Sequence, residues 1–384
     1  MIVNIFKRWL FLLGGLILAP LFFYSIHRRK KMSENDNQLR ILVIPQLTRI
    51  GDLVCATPVF RAIKEKFPRS FLAVLATRKN AGIIKNNPHI DEIIIFRNIE
   101  LFSLIRKIRE SFFDWSFCLA GSSFGTLVSF YGLIPHRAKI IKPDRPFSEI
   151  LTDWLNQNKL LYHHHTYLPA YYLKILGFIG IINPREAKEV FTSFEGEKKA
   201  EEFLSRKGVE KNDLLAILSI TAGNKVKEWG DNNFKTLAQR MFEKYGAKTV
   251  FIGSQKDERR IDELLKGLPA NSFMKAVDFL LEELPSLIKR AGLFIGADTG
   301  PLYIAHALGV PLIDIVGPFD WREQAPQDEK SLLVKPPAEI EPSLFVFKKP
   351  GSRKQQRKAV SSTSVEDVFE AVGKIVGKIK INNQ

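Results

Sequence analysis

The segment Ile41-Leu-Val-Ile-Pro-Gln-Leu-Thr-Arg-Ile-Gly-Asp52-Leu-Val-Cys-Ala-Thr-Pro58 joins an apolar run to a helical stretch through a polar turn. Its first residues, Ile41–Pro45, are apolar on both faces, as is typical of a strand buried in a parallel sheet. The stretch from about Asp52 to Phe67 has the pattern of a helix. The segment therefore predicts the strand–helix unit from which α/β folds are built.

The same alternation recurs outward from this segment in two series. Further strands of the first series are predicted at 71–76, 93–96 and 117–120, and the second series has strands at 214–220, 249–253, 293–296 and 312–316 separated by helices near 233–245, 256–265 and 302–308. Two such series predict an α/β protein with two doubly wound, Rossmann-like domains. Ligands of these sheets bind beyond the carboxyl ends of the strands, so we expect the two domains to face a functional cleft.

The chain is predicted to have four parts. A polar linker at 32–39 separates the amino terminus from the first series, and the irregular, aromatic and proline-bearing region 143–190 contains the boundary between the series. The parts are a membrane anchor with basic flanks at 1–31, a first domain at 40–185, a second domain at 190–345, and a basic segment with a terminal helix at 346–384.

The composition is typical of a globular protein and excludes a disulfide-rich one. Of 384 residues, 45% are hydrophobic and 26% charged, which is a globular composition. Two cysteines, Cys55 and Cys118, cannot form a disulfide framework or a four-ligand zinc site. The net charge is +16, and residues 1–31 and 345–360 each carry +6 with no acid, which leaves +4 on the rest of the chain. Two short segments therefore carry most of the positive charge.

The amino terminus is predicted to contact a membrane. Trp9–Ile26 contains 18 residues without a charge, enough for a helix of about 27 Å that just crosses a thin hydrocarbon core. Arg28–Lys31 outweigh Lys7 and Arg8, which leaves the large carboxy-terminal part in the cytoplasm. Glycines and a proline inside the segment leave open whether it spans the bilayer or inserts into one leaflet. A buried core helix is the third alternative, and the basic flanks, which have no purpose in a core, disfavour it.

Three strand-to-helix turns carry the candidate catalytic and ligand-binding residues, and the first of these turns lies in the quoted segment. Thr48, Arg49 and Gly51 form its turn, and Asp52 stands where the helix starts. A carboxylate at this position can simply cap the helix. It can also act on a ligand at the carboxyl edge of the sheet, through its position more than its basicity.

The second turn follows the strand 214–220. Thr221 and Gly223 lie in a loop of small residues, and Lys227 follows them. Small residues let backbone N–H groups approach a phosphate, and a lysine supplies the opposite charge. The Gly-Lys-Ser/Thr ending of a Walker loop is missing, so these residues indicate either a different anion site or a solvated loop.

The third turn has the sequence Gly296-Ala-Asp298-Thr-Gly-Pro301 between a strand and a helix. Pro301 suits the first turn of a helix. The free N–H groups of that turn, with the helix dipole, suit a diphosphate. In this interpretation Thr299 and Gly300 contact phosphates, and Asp298 accepts hydrogen bonds from sugar hydroxyls. The alternative interpretation is an ordinary capped turn.

Taken together, the three turns resemble the heptosyltransferases, the family-nine glycosyltransferases of lipopolysaccharide core assembly. The matching pieces occur in the family's order and spacing and cover both domains. They are Ile50-Gly51-Asp52 with Thr57-Pro58 and Ala62-Ile63, Lys227-Glu228-Trp229, and Gly296–Pro301 through Gly317-Pro318. Residues from Ser364 onward resemble the family's final helix, which returns towards the first domain.

The resemblance implies a glycosyltransferase of the B-type fold. Such an enzyme transfers a heptose from ADP-heptose to a lipid-linked oligosaccharide, with inversion and without a metal or other cofactor, at the cytoplasmic side of the inner membrane. By position, Asp52 would be the general base and Lys227 would stabilise the departing diphosphate. Donor contacts would come from Thr221, Gly223, Asp298, Thr299, Gly300 and Pro301, and acceptor-side contacts from Thr48, Arg49 and Gly51.

Some residues depart from the family pattern. The loop before Lys227 reads Ile220-Thr221-Ala222-Gly223 where Pro-Gly-Ala is usual, Gly230 stands where proline is common, and Tyr303 where histidine is common. These departures leave two alternatives open: transfer from another nucleotide sugar, or a non-catalytic scaffold of envelope assembly that binds a nucleotide sugar.

The basic stretch 345–360 is not predicted to bind nucleic acid. It has no interleaved aromatic residues beyond Phe345 and Phe347 and matches no nucleic-acid-binding module. Its charge favours attraction to anionic lipid or to a phosphorylated glycolipid, with a solvated loop as the alternative.

Overall fold

The structure of the protein is a computed structural model that describes Gly14 and residues 19–33, 38–97, 100–348 and 351–382. The chain forms two compact units. The first contains residues 1–81 and 87–186, and the second contains residues 82–86 and 187–384. The division between the two series of strands thus falls after Glu186.

The first unit is built on a six-stranded parallel sheet. Its strands are β1 (Arg40–Ile44), β2 (Phe71–Ala76), β3 (Glu92–Ile95), β4 (Trp115–Cys118), β5 (His136–Ile141) and β6 (Asn158–Leu161), in the order β3-β2-β1-β4-β5-β6. Its α-helices are α1 (Ala19–Ser33), α2 (Ile50–Lys66), α3 (Leu101–Glu110), α4 (Ser123–Tyr131), α5 (Phe147–Asp153) and α6 (Leu168–Lys174).

The second unit repeats this plan. Its strands are β7 (Leu215–Ser219), β8 (Lys248–Ile252), β9 (Phe273–Ala276), β10 (Leu293–Ala297), β11 (Leu312–Ile315) and β12 (Ser331–Val334), all parallel and in the order β12-β11-β10-β7-β8-β9. Its α-helices are α7 (Phe194–Arg206), α8 (Asp231–Tyr245), α9 (Glu258–Leu265), α10 (Leu284–Lys289), α11 (Gly300–Ala307), α12 (Trp321–Gln324), α13 (Arg353–Ser361) and α14 (Val365–Asn382).

Both sheets have the doubly wound strand order, so the predicted α/β architecture with two Rossmann-like domains is confirmed. In each sheet the chain reverses its direction of progression beside the first strand, between β1 and β4 and between β7 and β10. In open α/β sheets ligands bind at this switch point, outside the carboxyl ends of the strands. The three predicted turns follow β1, β7 and β10, at or beside these two points.

Apolar runs became strands because the sheets bury both of their faces. Residues 41–44 of β1 are fully buried, and Leu42 and Ile44 lie in one apolar cluster with Ala73, Ile108 and Val128. Burying each large aliphatic side chain contributes about 1.5–3 kcal/mol. The central strand is therefore strongly fixed in register, and with it the turn that follows.

Helix α2 tolerates a proline in its interior because a neighbouring hydroxyl compensates for it. Pro58 has no N–H to donate to the carbonyl of Val54. The Oγ1 of Thr57 donates to that carbonyl instead, at 2.8 Å. The Thr57-Pro58 pair therefore keeps the first turns of α2, which carry Asp52, hydrogen-bonded.

The region 143–190 is more regular than its sequence indicates, since α5, β6 and α6 lie within it. Strand β5, just before it, was not predicted either, because Arg137 and Lys139 interrupt its apolar pattern. Both side chains are fully buried. Lys139 forms an ion pair with Asp153 (2.7 Å), and the guanidinium of Arg137 donates to the carbonyl of Leu155 (2.7 Å). Internal partners thus allow cations in a buried strand.

The predicted membrane segment Trp9–Ile26 lies mostly outside the described residues. Its last part, from Ala19, belongs to α1, where Ala19 and Ile26 are buried in an apolar cluster with Leu127, Phe130 and Leu155. Within the described ranges, no helix has both the length and the apolar character needed to cross a membrane. This part of the amino terminus packs against the first unit.

The terminal helix differs from its expected position. The resemblance implied that it returns to the first domain, but α14 belongs to the second unit and packs against α8, β11 and β12. Val368, Val372 and Ile375 are buried in the apolar core of that unit. The apolar face of α14 completes the layer over the second sheet, and this burial explains its location.

Candidate functional site

The second and third predicted turns lie at one edge of the second sheet. Strands β7 and β10 are neighbours, with Ser219 paired to Gly296, so their carboxyl ends lie side by side. The loop with Thr221 and Gly223 leaves β7 and leads into a 3-10 turn, Lys225–Lys227. The sheet therefore brings Lys227 to the start of α11, across 71 residues of sequence.

Lys227 and Asp298 form the centre of this site. The Lys227 ammonium donates to Asp298 Oδ2 at 2.5 Å and to the Asp298 carbonyl at 3.0 Å, and lies 4.6 Å from the centre of the Phe319 ring. The Asp298 carboxylate is almost completely buried, and the lysine side chain is 17% exposed. The lysine thus points inward at the amino end of α11 and is not a solvated surface charge.

Tyr303 binds the other oxygen of Asp298, and Lys188 lies next to Tyr303. The hydroxyl of Tyr303 donates to Asp298 Oδ1, so the two carboxylate oxygens have different partners. The ammonium of Lys188 is buried, lies 4.8 Å from the centre of the Tyr303 ring and donates to the carbonyl of Gln324 at 3.2 Å. Lys227 and Tyr303 therefore bind the two oxygens of this carboxylate, and Lys188 adds a second cation beside Tyr303.

The start of α11 has the features of an anion site. Thr299 is the N-cap residue, Gly300 begins the helix, and Pro301 lies in its first turn. The Oγ1 of Thr299 makes no cap hydrogen bond and is buried without a partner among the described residues. The first N–H groups of a helix lack partners within it and attract negative charge. This geometry suits a phosphate group better than an ordinary capped turn.

The residues after Lys227 fix its loop in place. Glu228 Oε1 accepts a hydrogen bond from the N–H of Ala222 (3.3 Å), and its Oε2 pairs with Arg260 (3.0 Å). Arg260 also binds both oxygens of Asp231 at 2.6–3.0 Å. The buried Trp229 indole donates to the carbonyl of Thr363 at 2.8 Å. The Lys227-Glu228-Trp229 motif therefore supplies one cation and two anchors.

A second carboxyl group lies beneath the site, on β11. Asp314 is buried and pairs in register with Gly296, and both of its carboxyl oxygens lack a hydrogen-bond partner among the described residues. Burial raises the pKa of Asp314 well above its usual range, and the negative charge of Asp298 adds to this effect, against Lys227 and Lys188. The raised pKa favours the protonated form of Asp314 beneath the ion pair of Lys227 with Asp298.

The raised pKa of Asp314 predicts that the substitution Asp314→Asn stabilises the protein, and that this gain in stability depends on pH. The raised pKa means that the native state keeps a proton that the unfolded chain loses, so wild-type stability falls as pH rises above about 3.9. The amide does not titrate, so the melting temperature of Asp314→Asn should exceed that of wild type at pH 8. The difference should shrink towards pH 4.5. A melting-temperature difference that is the same at both pH values would contradict the raised pKa of Asp314.

The first predicted turn is placed in the first unit. Arg49 is the N-cap residue of α2 and makes no side-chain cap hydrogen bond, and Asp52 is the third residue of the helix. Asp52 is 4% exposed, and its Oδ2 lies 3.9 Å from Arg49 Nη1. The carboxylate therefore belongs to the first turn of α2 and is not its N-cap. Thr48 and Gly51 flank Arg49 and Asp52 in this turn.

Other groups position the turn that carries Asp52. The Oγ1 of Thr77 donates to the backbone carbonyl of Leu47 (2.7 Å). The side-chain amide of Asn80 donates to the backbone carbonyl of Gln46 (3.3 Å). Tyr172, on α6, is buried with no hydrogen-bond partner for its hydroxyl in the described part of the chain. Burial raises the pKa of the Tyr172 hydroxyl, and the nearby negative charge of Asp52 raises this pKa further. Asp52 thus lies in a largely buried setting.

The sequence located part of this arrangement. The structure brings Lys227, Asp298, Thr299, Gly300 and Pro301 together in the second unit, with Thr221 and Gly223 on the adjoining loop, whereas Thr48, Arg49, Gly51 and Asp52 lie together in the first unit. Lys188 and Asp314 were missed. Lys188 lies in an irregular connection without a pattern, but a lone carboxylate within the apolar run 312–316 was a usable signal.

Comparison with known proteins matches more than half of the chain to one family. The sequence model of glycosyltransferase family 9 (heptosyltransferase) matches residues 102–341. The chain is similar to lipopolysaccharide heptosyltransferase 3 of Escherichia coli (strain K12), with 24% identity over 289 residues that cover 71% of this chain and 82% of that protein.

Solved structures share the fold. The chain resembles E. coli ADP-heptose lipopolysaccharide heptosyltransferase II with a TM-score of 0.72 and 17% identity, over 89% of this chain and 100% of that one. It also resembles E. coli heptosyltransferase WaaC, solved with ADP, with a TM-score of 0.64 and 14% identity, over 88% of this chain and 100% of that one. At these identities the structural likeness concerns the fold alone.

Proposed function

The chain belongs to glycosyltransferase family 9, the heptosyltransferase family, and from this premise we propose that it transfers a heptose from ADP-heptose to a lipopolysaccharide-core or related glycolipid acceptor. The observation that carries the proposal is the pairing of Lys227 with Asp298 at the amino end of α11. A partly buried ammonium and free helical N–H groups at one point suit the diphosphate of a nucleotide sugar.

In the proposed reaction the acceptor hydroxyl attacks the anomeric carbon of the donor and inverts it. A new carbon–oxygen bond forms to the acceptor, and the bond between the anomeric carbon and the β-phosphate oxygen breaks. Asp52 takes the proton of the acceptor hydroxyl, and ADP leaves with the bonding electrons. Thr48, Arg49 and Gly51 contribute on the acceptor side.

Negative charge grows on the β-phosphate as the bond breaks, and groups already aimed at that position lower the barrier. Lys227 and the first N–H groups of α11, from Gly300, would supply this stabilisation, so the proposal needs no metal ion. Asp298 would accept hydrogen bonds from hydroxyls of the donor sugar, while Tyr303 keeps the Asp298 carboxylate oriented. Thr221, Gly223, Thr299 and Pro301 would shape the donor pocket.

The test is to incubate the purified chain with ADP-heptose and to measure free ADP after a lipopolysaccharide-core acceptor is added. We expect ADP release that depends on the acceptor. Binding of ADP-heptose without any release of ADP would instead favour a non-catalytic scaffold, an alternative that the changed loop at Ile220–Gly223 keeps open.

The identity of the nucleotide sugar has its own test, because Tyr303 stands where the family commonly has histidine. A bound ligand raises the melting temperature in proportion to the logarithm of its concentration over its dissociation constant. We expect ADP-heptose to raise the melting temperature more than UDP- and GDP-sugars at equal concentration. A larger shift with a UDP- or GDP-sugar would replace ADP-heptose as the proposed donor.

We also propose that the protein works at the cytoplasmic face of the inner membrane, where a lipid-linked acceptor would be anchored. Support comes from apolar side chains that α1 and α5 leave exposed. Tyr24 is 71% and Phe147 64% exposed; half-exposed Ile150 lies one turn after Phe147 on α5, and half-exposed Trp154 directly follows this helix. Phe23 of α1 contacts Trp154, with ring centres 5.8 Å apart, so the two helices expose one continuous patch.

This patch predicts a loss of membrane binding in the variant Tyr24→Ser/Ile150→Ser. Partial removal of two such side chains from water contributes about 1 kcal/mol each, so the partition coefficient onto vesicles of phosphatidylethanolamine and phosphatidylglycerol should fall roughly tenfold or more. Co-sedimentation measures it. Phe194→Ser, which changes an exposed aromatic residue of the second unit, is the matched control and should bind like wild type. Equal binding by all three proteins would contradict the patch.

A further inference from the structure

Helix α13 presents a dense group of cations that the donor site does not use. Its sequence from Arg353 to Ser361 contains two arginines, two lysines and no acid. Arg353, Lys354, Arg357 and Lys358 are all exposed, whereas Gln356, Ala359 and Val360 are buried against the second unit. The helix is therefore held by one face and turns four positive charges to solvent.

None of these four side chains has a carboxylate within ion-pair distance or a hydrogen-bond partner among the described residues. This separates α13 from the rest of the second unit, where most cations of the helices are paired, as in Arg240 with Glu366 (2.7 Å) and Lys289 with Glu197 (3.1 Å). Four neighbouring unpaired cations repel one another. No acidic side chain in the described part of the chain forms an ion pair with them that would offset this repulsion.

Two of the charges also occupy the unfavourable end of the helix. Arg353 and Lys354 lie in the first turn of α13, which contains no acid, although helix amino termini favour negative side chains. The next helix follows the usual rule, with Glu366 and Asp367 in its first turn. The charges of α13 therefore work against its own stability, which indicates an external anion as their partner.

The helix is attached directly to the candidate donor site. It packs against the turn Lys225–Lys227, and a methyl group placed on Gly317 would lie 3.1 Å from Val360 Cγ2. The hydrogen bond from the Trp229 indole to the carbonyl of Thr363 fixes the end of α13 to the same motif. The helix that carries these cations thus lies directly beside the turn that contains Lys227.

We propose that α13 is a subsite for the phosphate groups of the acceptor oligosaccharide. This inference rests on the proposed function, since it needs a transferase whose acceptor approaches the donor site. The donor already has Lys227 and the amino end of α11 for its diphosphate. A second, exposed group of cations beside that site suits the other substrate.

The test measures binding of two fluorescently labelled probes to the full chain, without turnover. One probe is deacylated lipopolysaccharide inner-core oligosaccharide with its phosphates, and the other is the same oligosaccharide after its phosphates are removed. The variants are Arg353→Gln/Arg357→Gln and Lys354→Gln/Lys358→Gln. The control, Lys207→Gln/Lys211→Gln, removes the same charge from exposed lysines near the amino end of β7, at the opposite edge of the sheet.

We expect each α13 variant to raise the dissociation constant of the phosphorylated probe about fivefold at low salt, as the loss of two exposed ion pairs implies, and to change that of ADP by less than twofold. The control variant should match wild type for both ligands. The dephosphorylated probe should bind wild type weakly and should not distinguish the variants.

Three results would overturn the proposal. One is equal binding of the phosphorylated probe by wild type and both α13 variants. Another is a rise in the dissociation constant of ADP alone, which would assign the helix to the donor. The third is loss of binding to phosphatidylglycerol vesicles with unchanged binding of the soluble probe, which would assign it to the bilayer. Failure of wild type to bind ADP would instead count against the proposed function and leave the probe comparison readable.

Discussion

Lys227→Ala is expected to lower kcat/KM for sugar transfer about a hundredfold to a thousandfold, the usual effect of losing one group that stabilises charge in the transition state. The reason is local. Lys227 is the ammonium that contacts Asp298 at the start of α11, where the departing diphosphate would gather negative charge. Steady-state rates of ADP release, with donor and acceptor varied separately, measure the effect.

The variant needs controls because it also leaves the buried Asp298 with one partner fewer. Removing one member of a buried ion pair can destabilise a protein by about 3–5 kcal/mol. Lys227→Gln can still donate a hydrogen bond to Asp298 without carrying charge, so it should stay folded and still lose most of the activity. Lys225→Ala changes the exposed lysine of the same turn and should transfer sugar at nearly the wild-type rate. Equal loss in Lys225→Ala and Lys227→Ala would remove the special role of Lys227.

Asp52→Asn is expected to lower kcat about a hundredfold to ten-thousandfold, the range for loss of a positioned general base. The amide keeps the shape of the carboxylate, so the first turn of α2 and the neighbouring Arg49 should remain in place. The amide cannot take the proton of the acceptor hydroxyl. The rate of ADP release as a function of pH should therefore lose its acidic limb in the variant.

The matched control for Asp52 is Glu65→Gln, the same chemical change on an exposed residue of the same helix. It should leave both the rate and its pH dependence unchanged. The two variants should also bind ADP equally, since Asp52 belongs to the first unit and the donor groups to the second. Turnover at the wild-type rate in Asp52→Asn would remove the assignment of this residue as the base.

The sequence was most informative where burial alone decides the structure. Strands β1, β7 and β10 are uninterrupted apolar runs, and each was predicted to within about two residues. Strand β5 was missed because its two buried cations depend on partners distant in sequence. Lys139 pairs with Asp153, and Arg137 donates a hydrogen bond to the carbonyl of Leu155. The terminal helix α14 was assigned to the other domain because its apolar face identifies a buried helix but not the core that buries it.

The site shows the same division between local and long-range information. Asp298, Thr299 and Gly300 could be identified because a polar turn between a strand and a helix is a local pattern. The ion pair of Lys227 with Asp298 depends on the pairing of β7 with β10, which the strand order fixes and single-sequence periodicity does not. Lys188 reaches Tyr303 from a connection without regular structure, so only the tertiary fold identifies it.

The central claim is that the second unit holds the donor diphosphate at the start of α11. A crystal structure of the full chain with ADP tests it most directly. We predict that a β-phosphate oxygen lies about 2.7–3.2 Å from both the Gly300 N–H and the Lys227 ammonium, the latter having left one of its contacts with Asp298. A diphosphate bound elsewhere on the chain, with the Lys227–Asp298 pair unchanged, would contradict the account.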